Sequence, residues 1–356
     1  MYVIVLAGGG GTRLWPHSRS NNPKHLLRLV KSDTTMIQET VRRVLPLTSP
    51  DKILVVTNHK HADEVRKQLP EIPQDNVLEE PVGRNSGPAV GYGALHVAHV
   101  DPEAVILTCP ADHVILKEEE FRSAVKAAAQ VALDNYLVTM GISPGYPDTG
   151  YGYMELGEEM KQVAGYKVHR VLRFTEKPDL QTATEYVNSG RFVWNSGMFI
   201  WKASVILEEI SRYMPNLHAA LQKIKDVVGT PEERHVVNEL WPQLEDLSID
   251  YGVLEKSDRV VTIPVDIGWS DVGDWGALAE ILEKDENGNS LIGDVMTFDT
   301  RNSLIYSSGC LVTTIGLEDM IVVSTGDAVL VCPKSRAEEV RKIVNKLREM
   351  GRDTHL

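Results

Sequence analysis

Apolar positions come as short continuous runs in the first two fifths of the chain and as scattered pairs near its end. Residues 2–6, YVIVL, form an unbroken, largely β-branched run that stops at four glycines, 8–11. Such a run, followed by turn chemistry, predicts a strand buried on both faces. The same texture returns at 52–58 (KILVVTN), at Val77-Leu78, at 104–112 (AVILTCPAD) and at 136–142 (YLVTMGI). Between these runs the spacing changes to three and four. Met36, Ile37, Thr40, Val41 and Val44 predict a helix over 35–46, and Phe121, Val125, Ala128 and Ala132 predict another over 118–133. A polar helix fits 60–69, and a small-residue helix fits the stretch from Pro88 to about 99. Strand and helix in alternation imply an α/β fold with a mainly parallel sheet covered by helices on both faces.

The rhythm loosens after residue 143. Strands are predicted at 166–174 and 197–201, and helices at 179–189, 203–212, 216–227 and 275–284. From about 290 short β-rich runs are broken by Gly, Asp and Asn. Closely spaced turns predict a small β-unit of solenoid, β-helix-like type. A terminal helix over 336–350 follows, with Val340, Ile343, Val344 and Leu347 on one face. The expected domains are therefore 1–288 and 289–356.

Composition narrows the function. The 356 residues carry 37 Lys and Arg against 50 Asp and Glu, a formal net charge of −13. That balance argues against nucleic acid as a partner, because such domains are normally basic. It leaves nucleotides open, since a glycine loop and a few cations hold a phosphate in an acidic protein. No segment approaches the roughly 18 apolar residues of a membrane helix. The N-terminal run lacks a cationic lead, so it reads as the first strand of the mature fold, and the expected location is the cytoplasm. Cys109, Cys310 and Cys332 are too scattered for a disulfide framework or a zinc site, and are expected to be buried, inert thiols.

The segment Leu6-Ala7-Gly8-Gly9-Gly10-Gly11-Thr12-Arg13, followed by Lys24, carries the most chemistry. A buried strand delivers glycines to its C-terminal end, where open α/β sheets bind ligands. Glycines let backbone N–H groups approach a phosphate, and Arg13 and Lys24 add positive charge from the loop. Two familiar phosphate motifs fail. No Lys-Ser/Thr follows the glycines, as a P-loop needs. Arg13 and Pro16 fall where a dinucleotide fingerprint needs its third glycine and the start of a helix.

GGGGTRLWP with the later PK resembles the signature of the sugar-phosphate nucleotidyltransferases. The resemblance extends through EEPVGRNSGPA (79–89), PADHVI (110–115), TGYGYM (149–154), RFTEKP (173–178), WNSGMF (194–199) and GWSDVGDW (268–275). Together these are similar to the mannose-1-phosphate guanylyltransferase group of that family. The resemblance implies a Rossmann-like nucleotidyltransferase domain with a C-terminal β-unit. It also implies that GMP passes from GTP to mannose 1-phosphate, giving GDP-mannose and pyrophosphate with Mg2+ as cofactor. A pyrophosphorylase for another NTP or hexose 1-phosphate is the nearest alternative, and a non-catalytic sugar-nucleotide-binding regulatory subunit the next. A homodimer is compatible with the resemblance. Many bacterial relatives carry a further cupin-type isomerase domain, and a chain of this length is expected to be monofunctional.

Roles follow for individual residues. Arg13 and Lys24 are the expected catalytic cations, facing the triphosphate and the reacting phosphates. Leu6 to Thr12, together with Glu80, Asn85 and Ser86, are expected to bind the nucleotide. One carboxylate can accept both N1–H and the 2-amino group of guanine, and Glu80, assisted by Asn85, is the residue expected to do so. Gly152, Glu176, Lys177 and Asn195 are expected on the sugar phosphate. Asp112 and Asp271 match the family's metal aspartates, and two carboxylates suffice for Mg2+ when phosphates and waters complete the shell. Taken alone, either aspartate reads as a helix cap or turn residue. His113, Trp194 and Phe199 are expected to be structural.

Overall fold

The computed structural model describes residues 1–9, 11–31 and 33–356. Gly10, one of the expected nucleotide-binding glycines, lies outside the described residues. The chain runs through β1 (Tyr2–Ala7), α1 (Met36–Val44), β2 (Ile53–Asn58), α2 (Ala62–Gln68), β3 (Val77–Glu80) and α3 (Ser86–Val100). It continues with β4 (Val105–Pro110), β5 (Val114–Ile115), α4 (Glu118–Ala132), β6 (Leu137–Ile142), β7 (Gly152–Val163) and β8 (Tyr166–Glu176). Then come α5 (Leu180–Ser189), β9 (Phe192–Lys202), α6 (Ala203–Tyr213), α7 (Pro215–Lys225), α8 (Glu233–Leu240), β10 (Val260–Val265), β11 (Trp269–Ser270) and α9 (Trp275–Ile281). The last part holds β12 (Ser290–Ile292), β13 (Val295–Phe298), β14 (Leu304–Ser307), β15 (Val312–Ile315), β16 (Met320–Ser324), β17 (Val329–Pro333) and α10 (Val340–Glu349).

These elements form two compact units. The first comprises Met1–Gly8, Thr40–Ala111 and Ile115–Trp269. Its sheet has the order β3-β2-β1-β4-β9-β6-β10-β8-β7. Only β9 and β8 run against the other strands, so the sheet is mainly parallel as expected. β1 lies between β2 and β4 with Val3, Ile4 and Val5 fully buried, which is why its sequence is a continuous apolar run. α3 packs on β1 and β2, and α6 and α7 pack on α3.

Several elements were not legible in the pattern. β7 mixes polar and apolar residues because its first four positions are buried and its later ones reach solvent in a bulged hairpin with β8. α8 and β10 were also missed, and β9 is longer than expected, beginning at Phe192. α3 starts at Ser86, before Pro88, because a proline in the first turn removes only an N–H that has no helical partner.

The second unit comprises Gly9–Glu39, Asp112–Val114 and Ser270–Leu356. Here β12, β14 and β16 stack in parallel register, β13 pairs with β15 in parallel, and β17 closes against β16 antiparallel. This is the expected β-helix-like arrangement. Leu14, Trp15, Leu27 and Leu29 from the N-terminal segment share one core with Trp275, Leu304, Ile321, Val323, Val340 and Val344. Ile343 was expected on the buried face of α10 but is 41% exposed, because the packed stripe follows Val340, Val344 and Leu347. Cys310 was expected to be buried and is exposed, whereas Cys109 is buried and Cys332 half-buried.

Candidate active site

The charged residues of the glycine-loop signature converge within the second unit. Gly11 adopts φ +60°, and a short 3-10 turn, Thr12–Leu14, follows it. A Cβ on Gly11 would sit 2.4 Å from Lys24 Cβ, so the loop passes Lys24 at a distance only glycine allows. Ser18 Oγ donates to the Gly11 carbonyl at 2.6 Å and fixes the turn. Lys24 was expected to be a cation on the loop surface. It is buried instead, with 4% of its area exposed. Its ammonium pairs with Asp112 Oδ2 at 2.9 Å and donates to the Asp271 carbonyl. Burial would raise the Asp112 carboxyl, but the Lys24 ammonium and, after it, His113 outweigh burial and hold it at about 2.

Asp271 follows β11 in a tight loop. Its Oδ1 accepts from Gly273 N at 3.0 Å, and Asp274 caps α9 by accepting from Ala277 N at 2.9 Å. A Cβ on Gly273 would lie 3.2 Å from both Arg13 Nη2 and Asp271 Oδ2, so guanidinium and carboxylate flank the same small residue. Arg13, Lys24, Asp112 and Asp271 are thus brought together, and Gly9 and Thr12 belong to the same unit.

The first unit holds the other expected residues in two groups. At the C-terminal end of β1, a Cβ on Gly8 would sit 3.5 Å from Glu80 Oε2. Glu80 ends β3, is 3% exposed, and its Oε1 has no hydrogen-bond partner. Burial pushes this carboxyl up to about 8. A buried carboxyl with an orphaned oxygen, beside the end of β1, fits a ligand that brings its own donors. Asn85 caps α3 at φ +65° and ψ −173°, a region costly for a residue other than glycine. Ser86 Oγ, expected to face nucleotide, accepts from Ile249 N at 3.0 Å. Gly87 donates to the Leu247 carbonyl at 3.1 Å, and a Cβ there would lie 2.5 Å from that oxygen. Both residues therefore tie the start of α3 to the 247–249 segment.

The sugar-side residues form the second group. Gly152 pairs with Glu176 across β7 and β8, and a Cβ on Gly152 would lie 2.4 Å from Glu176 Oε2 and 3.4 Å from Asn195 Cβ. Glu176 Oε1 accepts from Lys177 Nζ at 2.7 Å. Asn195 was expected to offer donor and acceptor to a hydroxyl. Its Oδ1 already accepts from Thr139 Oγ1 at 3.1 Å and Gly197 N at 3.2 Å, and its Nδ2 donates to Asp250 Oδ1 at 2.9 Å.

Asp250 is the functional candidate that the sequence reading missed. It opens a π-helical turn, Asp250–Leu254, a geometry frequent at functional sites. Burial and then the Glu176 charge raise its carboxyl to about 7, against the pull of Lys177 and Asn195. In the segment SIDYG a single aspartate and a single glycine form no motif that would have singled Asp250 out. Trp194 and Phe199 are buried, as expected for core residues.

A divalent cation fits the donor set of the second unit. Asp112 is ionised at neutral pH, and carboxylates are the hard oxygen ligands that Mg2+ prefers. Among the described residues no group of three or more His, Cys, Asp or Glu side chains is placed to hold a metal.

Residues 2–288 match the nucleotidyl transferase family, and residues 293–347 match the MannoseP isomerase/GMP-like beta-helix domain. The chain belongs to the nucleotidyl transferases and, within them, to the mannose-1-phosphate guanylyltransferases. It is 41% identical over 364 residues to mannose-1-phosphate guanylyltransferase 2 of Escherichia coli O157:H7, covering 99% of this chain and 75% of that protein. It is 40% identical to the xanthan biosynthesis protein XanB of Xanthomonas campestris pv. campestris strain B100, covering 98% and 73%. A crystal structure from Thermus thermophilus, described as a mannose-1-phosphate geranyltransferase, superposes with a TM-score of 0.88 at 33% identity, covering 98% of this chain and 99% of that one. No helix among the described residues is long and apolar enough to cross a membrane.

Proposed function

We propose that the chain joins GTP and mannose 1-phosphate into GDP-mannose and pyrophosphate in the cytoplasm, with Mg2+ as the metal. Residues 1–288 form the catalytic part in this reading, and 289–356 the β-unit. The observation that carries it is the Lys24 ammonium held between Asp112 and the Asp271 carbonyl on a loop that Gly11 turns. Family relatives named for this activity over nearly the whole chain support it.

The sugar phosphate carries about −1.5 to −2 charge at neutral pH and is a nucleophile without a general base. One of its oxygens attacks the α-phosphorus of GTP. A new O–P bond forms, the α–β bridging bond breaks, and pyrophosphate leaves with the electron pair. Most of the barrier lies in bringing anions together and holding them in line. Lys24 places a buried charge at the reacting phosphates, and Arg13 offers its guanidinium to the departing pair. Asp112 and Asp271 would hold Mg2+, which neutralises charge on the phosphate oxygens when bound. Glu80 accepts from guanine, beside the backbone of Leu6, Ala7 and Gly8. Glu176, Asp250 and Lys177 face the sugar phosphate, with Gly152 leaving room and Asn195 orienting Asp250.

The test is pyrophosphate release from the purified protein, crossing the four NTPs with mannose, glucose and fucose 1-phosphates. GTP with mannose 1-phosphate should exceed every other pair by at least tenfold. A preference for another pair replaces the substrate assignment, and binding without turnover favours the regulatory-subunit alternative.

A further inference from the structure

Two residues beyond Arg13, Trp15 ties the catalytic loop to the far end of the chain. Trp15 closes the Thr12–Leu14 turn by donating its backbone N–H to the Thr12 carbonyl. It is 7% exposed, and its indole N–H needs an acceptor. That acceptor is the carbonyl of His355, at 2.7 Å and 340 positions away. The Trp15 carbonyl in turn accepts from Trp275 Nε1 at 2.9 Å. A second tie runs in parallel. Arg19 donates to the Pro16 carbonyl at 2.7 Å and to Asp327 Oδ1 at 2.8 Å, and His355 Nδ1 lies 3.2 Å from Asp327 Oδ2. The same guanidinium sits 5.8 Å from the Trp15 ring centroid. Leu356 packs against the core that contains Leu14 and Trp15. All of these residues belong to the second unit.

We propose that the C-terminal turn Asp353–His355 is a positioning element for Arg13. By holding Trp15 it fixes the preceding turn and the direction in which the guanidinium is presented. This rests on the reading above, in which Arg13 meets the departing phosphates. Packing keeps the indole buried, and a polar partner is needed to fix which way its N–H edge faces. The hydrogen bond and the Arg19–Asp327–His355 chain supply that constraint, and small misplacements of a catalytic group are costly in rate.

The experiment uses the full chain, a form ending at Gly351, Trp15→Phe, Arg13→Ala, and Arg13→Ala combined with the shortened form. Amide hydrogen exchange over residues 11–19 is measured with the thermal midpoint and the kinetic constants. We expect faster exchange over 11–19 in the shortened form and in Trp15→Phe, which keeps an aromatic ring of smaller size and drops the donor. KM for GTP should rise and kcat fall, together at least tenfold in kcat/KM, while KM for mannose 1-phosphate stays within twofold. On the Arg13→Ala background, shortening should cost little more, because both changes remove the same interaction. Unchanged exchange overturns the proposal, as does a shortening effect that adds fully to Arg13→Ala. A uniform loss of all constants with the thermal midpoint shows a structural role only and also overturns it. If Arg13→Ala itself leaves GTP kinetics untouched, the role of Arg13 fails instead, and the exchange result still decides whether the tail orders the loop.

Discussion

Gly11 and Lys24 touch so closely that one added carbon on Gly11 would sit 2.4 Å from Lys24 Cβ and 3.3 Å from its backbone nitrogen. The contact links the glycine run to the buried cation, and it carries a cost if altered. Gly11→Ala must also hold an alanine at φ +60°, about 1–2 kcal/mol for an L-residue. We expect kcat to fall at least tenfold and the unfolding free energy to drop by at least about 1 kcal/mol. Denaturant melts and initial rates measure both, and an alanine variant with native rates would show that the loop does not set the Lys24 position.

Lys24→Ala tests the cation directly. Losing one preorganised charge commonly costs on the order of a hundredfold in rate. Because the ammonium is buried on Asp112, the fold should also lose roughly 1–3 kcal/mol. Turnover within threefold of wild type would exclude Lys24 from the reaction.

Asp112→Asn and Asp271→Asn each remove one anionic oxygen ligand. Both should raise the Mg2+ concentration for half-maximal rate, and chelator should abolish wild-type activity reversibly. Titration of Mn2+ by electron paramagnetic resonance in the presence of GTP gives an independent measure. Affinity should fall about 10-fold or more in each variant, and an unchanged Mn2+ isotherm would remove that aspartate from the metal site.

Glu80 links base recognition to pH. Its value in the fold, about 8, lies above the ordinary 4.5, so the folded chain favours the neutral acid. That contribution to stability is fully present below pH 4.5 and is lost as pH rises towards 8. Without nucleotide, the melting point of wild type should therefore decline relative to Glu80→Gln between about pH 5 and 8. With nucleotide, Glu80→Gln should lower kcat/KM for GTP far more than for ITP, which lacks the 2-amino group. Parallel melting curves would deny the raised carboxyl, and an unchanged GTP-to-ITP ratio would deny base reading.

Asp250→Asn probes the sugar end. It keeps the shape and an acceptor for the Asn195 amide, but replaces the second carboxylate oxygen with a donor and removes the charge. KM for mannose 1-phosphate should rise at least fivefold while KM for GTP stays within twofold. The raised carboxyl, at about 7, should also add an ionisation near neutrality to the wild-type profile of rate at low mannose 1-phosphate, absent in the variant. Equal effects on both substrates would make Asp250 structural.

What the sequence determined by itself was local. Continuous apolar runs marked β1, β2, β4 and β6, because strands buried on both faces need no polar alternation. The glycines, Arg13 and Lys24 stood out from their own short motif, whereas Asp112 and Asp271 were singled out only through the family resemblance of the motifs around them. Strands such as β7 escaped, since bulges and a half-exposed hairpin blur the period of two. Only tertiary structure decided which groups lose water and who compensates them. It buried Lys24 on Asp112, brought Asp250 to Asn195 across 55 positions, and joined Trp15 to His355 across 340. Burial and charge pairing depend on residues far apart in the chain, so the ionisation of Glu80, Asp112 and Asp250 follows from packing rather than from any local pattern.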